Sequence, residues 1–162
     1  METPELPFPF SLFLKYFWLL AIGATCFNAY ILKVRSQKYI QADPSLEDDY
    51  DKLFRGYIVY LNIPWVVMGI GIMFGNIPTV FDFLSAGRSS NIFIMLFWGS
   101  IILLWGLLFI WTYFLGGAEF LIAHPGLLRG NIKSPLLIKF YVATSVVGGI
   151  YLLYFLWNMG LK

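Results

Sequence analysis

The stretch Ile92–Leu115, IFIMLFWGSIILLWGLLFIWTYFL, contains no Asp, Glu, Lys, Arg or His. At about 1.5 Å per residue a helix of this length crosses a hydrocarbon core about 30 Å thick. Three further runs read the same way, about Leu12 to Leu32, Tyr57 to Phe74 and Leu136 to Trp157. The pattern predicts an all-α integral membrane protein with four transmembrane helices in an antiparallel bundle. Residues 1–162 then form a single membrane domain, with connecting loops at 33–56 and 116–135 and no room for a separate soluble unit.

Composition supports this reading. The chain is 59% hydrophobic, 20% aromatic and 12% charged, against roughly 25% charged residues in ordinary soluble domains. A soluble fold of this size could not hide so much apolar surface. The N-terminal Met-Glu-Thr-Pro-Glu-Leu-Pro-Phe-Pro is acidic and proline-rich, without the basic segment and small-residue cleavage site of a secretory signal, so the first span reads as retained. The lone Cys26 lies inside that span and reads as a small buried apolar residue.

Lys and Arg near span ends are retained on the cytoplasmic side. The first loop carries Lys33, Arg35, Lys38, Lys52 and Arg55, and the third carries Arg129 and Lys133, followed by Lys139 just inside the fourth helix. The second loop has only Arg88 and the C-terminus only Lys162. Loops one and three are thus expected in the cytoplasm and both termini outside, in a cytoplasmic (inner) membrane. Lys15, near the outer end of the first span, can snorkel to the interface. The net charge of +2 offers no footprint for nucleic acid.

Within the first loop, Asp43-Pro44-Ser45-Leu46-Glu47-Asp48 reads as a turn and a helix start, with Ser45 as N-cap and acids in the first turn. Leu46, Tyr50, Leu53, Phe54 and Tyr57 recur at helical spacing. A short amphipathic cytoplasmic helix is therefore predicted to run unbroken into span two. Glu47, Asp48, Asp49 and Asp51 lack the alternating ligands, turn glycine and closing glutamate of a calcium loop, and read as a solvated helical face.

Lipid gives helices no hydrophobic drive to associate, so close approach at small residues must supply it. Gly71 and Gly75 in the second span, and Ser145 and Gly149 in the fourth, form small-xxx-small pairs and make these two helices the candidates for tight contact, within one chain or between chains. Pro64 removes one backbone donor from the second span and should kink it. Asn62, at membrane depth, is expected to hydrogen-bond a neighbouring helix.

Away from Lys15, Lys139 and the interfaces, no Asp, Glu, Lys, Arg or His lies at mid-membrane depth, which argues against pumps, proton-coupled transporters and voltage sensors. The one constellation with possible chemistry is Gly116–Gly126, where Glu119 and His124 stand five residues apart, about 140° around a helix and unsuited to sharing a ligand. His124-Pro125-Gly126 reads equally as a helix terminus. A haem or pigment would need His124 joined by a residue from elsewhere, a methionine or a partner. No cofactor is predicted. The expected role is a non-catalytic polytopic membrane protein, a homo-oligomer or an accessory subunit among other membrane subunits, bathed in membrane lipids.

The segment Asn28 to Pro64, with its basic loop and an Arg entering the second helix, resembles the MAPEG family of trimeric glutathione-dependent membrane enzymes. That family follows the Arg with Asn at i+4 and Glu at i+7. Here Arg55 matches, Val59 and Asn62 stand at the other two positions, and helix three lacks the Arg that serves the thiol. The resemblance implies, as an alternative function, a transferase acting on a lipophilic substrate at the cytoplasmic interface, with Arg55 and Asn62 as its candidate residues.

Overall fold

The computed structural model describes residues 8–84, 90–128 and 132–159, apart from the side chains of residue 8 and of residues 156–159. Arg88, Arg129 and Lys162, which enter the charge reading above, lie outside the described residues, as does the N-terminal segment 1–7. Helix α1 spans Phe8–Ala42, α2 Glu47–Phe74, α3 Val80–Leu84, α4 Ile92–Phe114, α5 Gly117–Ala123 and α6 Pro135–Met159. Helices α1, α2, α4 and α6 are each long and apolar enough to cross a membrane.

The first connection is helical almost throughout. No Gly or Pro interrupts Lys33–Ala42, so α1 continues about ten residues past the apolar run until Asp43, which precedes Pro44 and is extended. The turn needs only residues 43–46. Its cap is Asp43, not Ser45: the Asp43 Oδ1 accepts from the Ser45 backbone N–H at 3.1 Å and from its hydroxyl at 2.6 Å. Carboxylate and hydroxyl compete for the same role two residues apart, and proline fixes the turn in the register that favours the carboxylate. From Glu47, α2 runs without interruption through Pro64 to Phe74.

The four long helices pack in the order α1, α2, α4, α6, with α6 resting chiefly on α4 and on α5. Helix α2 is central, with a larger buried share of its span than the other three. At one end of the bundle, Leu14, Met68, Ile77, Val80, Phe83, Ile94 and Phe97 form the apolar core, into which the short α3 inserts. Asn91 secures that end. Its Oδ1 accepts from Phe93 N–H at 3.0 Å to cap α4, and its Nδ2 donates to the Gly75 carbonyl at 2.9 Å. Large apolar side chains elsewhere on α1, α4 and α6 are exposed, a surface suited to lipid rather than water.

Glycines receive aromatic rings rather than one another's backbones. Gly69 lies under Trp18 of α1, Gly71 under Phe83 of α3 and Phe93 of α4, and Gly75 under Phe93. Gly149 of α6 lies against Trp105 of α4. Within one chain the small residues of α2 and α6 therefore meet α1, α3 and α4 rather than each other. Ser145 is exposed and donates to Tyr141 O one turn back in its own helix. A glycine hollow accepts a planar ring as readily as a backbone, and sequence spacing does not distinguish the two.

Two polar residues also depart from expectation. Asn62 is buried, but its Nδ2 donates to Ile58 O of its own helix at 2.8 Å, with only a 3.9 Å approach to Cys26 Sγ across the α1–α2 contact. Cys26 itself is exposed on α1, not buried. Apolar residues surround α1 on every side, so the sequence does not show which face meets lipid.

Candidate functional site

The end opposite the apolar core gathers the C-terminal end of α1, the start of α2, the end of α4, the start of α6 and the short α5. After α4 the chain turns through Gly116, whose φ of +76° favours glycine. Gly117 follows, buried against the Trp111 ring. Helix α5 then runs Gly117–Ala123 and is closed by His124.

His124 is buried, at 4% exposure. Its backbone N–H donates to Phe120 O, and its Nδ1 lies 2.8 Å from the same carbonyl oxygen. The imidazole stacks on the Phe120 ring with centroids 3.9 Å apart and meets Tyr50 edge-on. Nε2 approaches Asp49 Oδ2 of α2 to 3.3 Å, within ion-pair range but off the line that a hydrogen bond requires. Tyr50, wholly buried, donates its hydroxyl to Pro125 O at 2.6 Å. Residues 75 positions apart are thereby joined, and α5 is clasped onto the first turns of α2.

Glu119 points elsewhere. It is exposed and pairs with Lys139 of α6 at 3.4 Å, while Tyr113 donates to Lys139 O at 2.8 Å. The Glu119 carboxyl titrates below its ordinary value of 4.5. Its own backbone N–H is the largest cause, burial opposes the shift, and the Lys139 ammonium assists it. Glu119 and His124 are thus not brought together: one binds α6 and the other α2, as their angular separation on a helix requires.

Nδ1 of His124 is taken up by the Phe120 carbonyl, whereas Nε2 lies near the Asp49 carboxylate without a hydrogen bond. The residue borders a cavity beside α1 and closes α5 at its C-terminal end. Among the described residues no three His, Cys, Asp or Glu side chains converge as a metal site.

Arg55 and Asn62 are also separated. Arg55 is exposed and pairs with Asp51 one turn back at 3.7 Å, while Asn62 is buried two turns further along α2. Of the acidic cluster, Asp49 divides between Lys52 at 3.6 Å and His124, and Glu47 and Asp48 remain exposed.

Beside the clasp, a cavity of about 1080 Å³ opens between α1 and the connection from α5 to α6. Its wall includes Arg35, Lys38, Tyr39, Leu121, Ile132 and Lys133. Gly126 brings the connection close to α1. With φ at +88° and the Tyr39 ring 2.8 Å from where a Cβ would stand, this position suits glycine on two counts. The sequence shows these cations in two loops, but their convergence on one cavity depends on the fold.

The chain matches no protein-family model, and no curated protein or solved structure is significantly similar to it.

Proposed function

We propose that this polytopic membrane protein is non-catalytic and acts as an interaction or accessory subunit, either as a homo-oligomer or beside other membrane subunits. The observation that carries this reading is the placement of its only histidine. His124 stacks on Phe120, turns Nδ1 to the Phe120 carbonyl and sets Nε2 3.3 Å from Asp49, so the one side chain suited to acid–base work at neutral pH sits in the contact between α5 and α2. The open order of the long helices supports the reading further, because the outer faces of α1 and α6 stay available to other membrane helices. The excess of Lys and Arg in loops one and three supports an orientation in the cytoplasmic membrane with the clasped end inside and both termini outside.

Native mass spectrometry of the protein extracted in mild detergent from its own membrane tests the role. Copies of this chain or foreign subunits at fixed stoichiometry are expected, and a monomer alone overturns the reading. A topology reporter fused after Lys162 is expected to be active only when it works outside the cytoplasm.

A further inference from the structure

Among the described residues, the cavity between α1 and the α5–α6 connection is lined by three cations, Arg35, Lys38 and Lys133, and by no carboxylate. Of the acids at this end, Asp49 pairs with Lys52 and His124, Asp51 with Arg55 and Glu119 with Lys139, and Asp43 caps the turn, while Glu47 and Asp48 are exposed. Among the described residues none of the three cations has a carboxylate within ion-pair range, and Lys38 rests instead over the Tyr39 ring at 4.7 Å. Like charges gathered around one void repel, and a bound anion relieves that repulsion. An anion with several oxygens suits three donors approaching from two separate segments, and the Arg35 fork matches a phosphate in two-point contact.

Depth and polarity narrow the ligand. Arg35 and Lys38 follow the apolar run ending at Leu32 by about 4.5 and 9 Å along α1, and the headgroup layer is about 5–8 Å thick on each side. Lys133 stands two residues before α6 begins at Pro135. Arg35 thus stands at headgroup depth and Lys38 at the outer edge of that layer, where its long side chain reaches back, while Leu121 and Ile132 give the cavity an apolar wall. The volume far exceeds what a bare phosphate fills.

We infer that this cavity binds a phosphate-bearing amphiphile, the headgroup of an anionic lipid, through Arg35, Lys38 and Lys133, with the upper acyl chain against Leu121 and Ile132. The site does not depend on whether the protein has a protein partner, so it stands or falls separately from the proposed role.

The test is native mass spectrometry of the full-length protein, delipidated in detergent and titrated with phosphatidylglycerol or with phosphatidylcholine of the same chains. Inorganic phosphate serves as competitor. The triple variant Arg35→Gln, Lys38→Gln, Lys133→Gln is expected to weaken phosphatidylglycerol binding at least about tenfold. Lys52→Gln, which removes an exposed cation from the same end of the bundle, should leave binding unchanged. Should the triple variant misfold, Lys133→Gln alone, at an exposed position, gives the same reading with a smaller loss.

Selective phosphatidylglycerol adducts that withstand inorganic phosphate support the site with lipid as its source. Displacement by inorganic phosphate alone supports the phosphate contacts and overturns the lipid assignment. Equal adducts with phosphatidylcholine, or undiminished phosphatidylglycerol adducts in the folded variants, overturn the proposal entirely.

Discussion

The Tyr50 hydroxyl donates to the Pro125 carbonyl at 2.6 Å, and this bond joins the start of α2 to the end of α5. The phenol ring beneath it has no exposed surface. Tyr50→Phe removes the bond and keeps the ring, so it is expected to cost about 0.5–1.5 kcal/mol. Tyr50→Ala also empties the ring's volume, at a cost of about 3–5 kcal/mol. Thermal unfolding in detergent should therefore rank wild type, Tyr50→Phe and Tyr50→Ala in widely spaced steps. Equal losses for the two variants would show that the hydroxyl alone holds the clasp.

Gly148 and Gly149 are sequence neighbours with opposite surroundings. A Cβ at Gly148 meets nothing within 4 Å, whereas one at Gly149 collides with the Trp105 ring. Gly149→Ala is expected to destabilise by about 1–3 kcal/mol through overpacking. Gly148→Ala should be neutral or slightly stabilising, because alanine favours the helix by about 1 kcal/mol. Adding Trp105→Leu should return part of the Gly149→Ala loss, measurable as a coupling in a double-mutant cycle. Additive losses would contradict the ring-on-glycine contact.

These glycines also show what one sequence does and does not disclose. The four spans were legible because an uncharged run of twenty or so residues has one physical meaning in lipid. The unbroken α2 was legible from the helical spacing of Leu46, Tyr50, Leu53, Phe54 and Tyr57. The partner of a glycine was not, since Gly149 accepts Trp105 from a helix about forty residues earlier. The clasp was illegible for the same reason: His124 and Asp49 lie far apart in the chain, and only folding brings them to 3.3 Å. The terminal geometry of His124-Pro125-Gly126 could be read locally, because a helix end is a local event. The cavity cations were visible as charges in two loops, and their meeting required the close approach of Gly126 to Tyr39.

The turn between α1 and α2 offers a local test. Asp43 accepts both the backbone N–H and the hydroxyl of Ser45, while the Ser45 hydroxyl is spent on that carboxylate. Asp43→Ala is thus expected to cost about 0.5–2 kcal/mol, in the range for losing a helix cap. Ser45→Ala should cost less, since the backbone bond to Asp43 survives it. Faster amide hydrogen exchange at Ser45 and Leu46 in Asp43→Ala, and not in Ser45→Ala, would confirm the order. The reverse order would return the cap to Ser45.

The Glu119–Lys139 contact ties α5 to α6 and sets a pH dependence. The folded carboxyl titrates below its ordinary value of 4.5, with its backbone N–H as the largest cause and Lys139 a lesser one. A group with a depressed pKa binds protons more readily when unfolded, so its contribution is fully present above about 4.5 and fades as pH falls through the folded value. Stability at the α5–α6 contact is accordingly expected to be flat from neutral pH down to about 5 and to decline only in stronger acid. Lys139→Gln should raise the Glu119 pKa only part of the way to 4.5, because the backbone hydrogen bond remains. Carboxyl titration of a ¹³C-labelled Glu119 in wild type and in Lys139→Gln measures both values. Full return to 4.5 in the variant would make Lys139 the dominant cause and the backbone bond incidental.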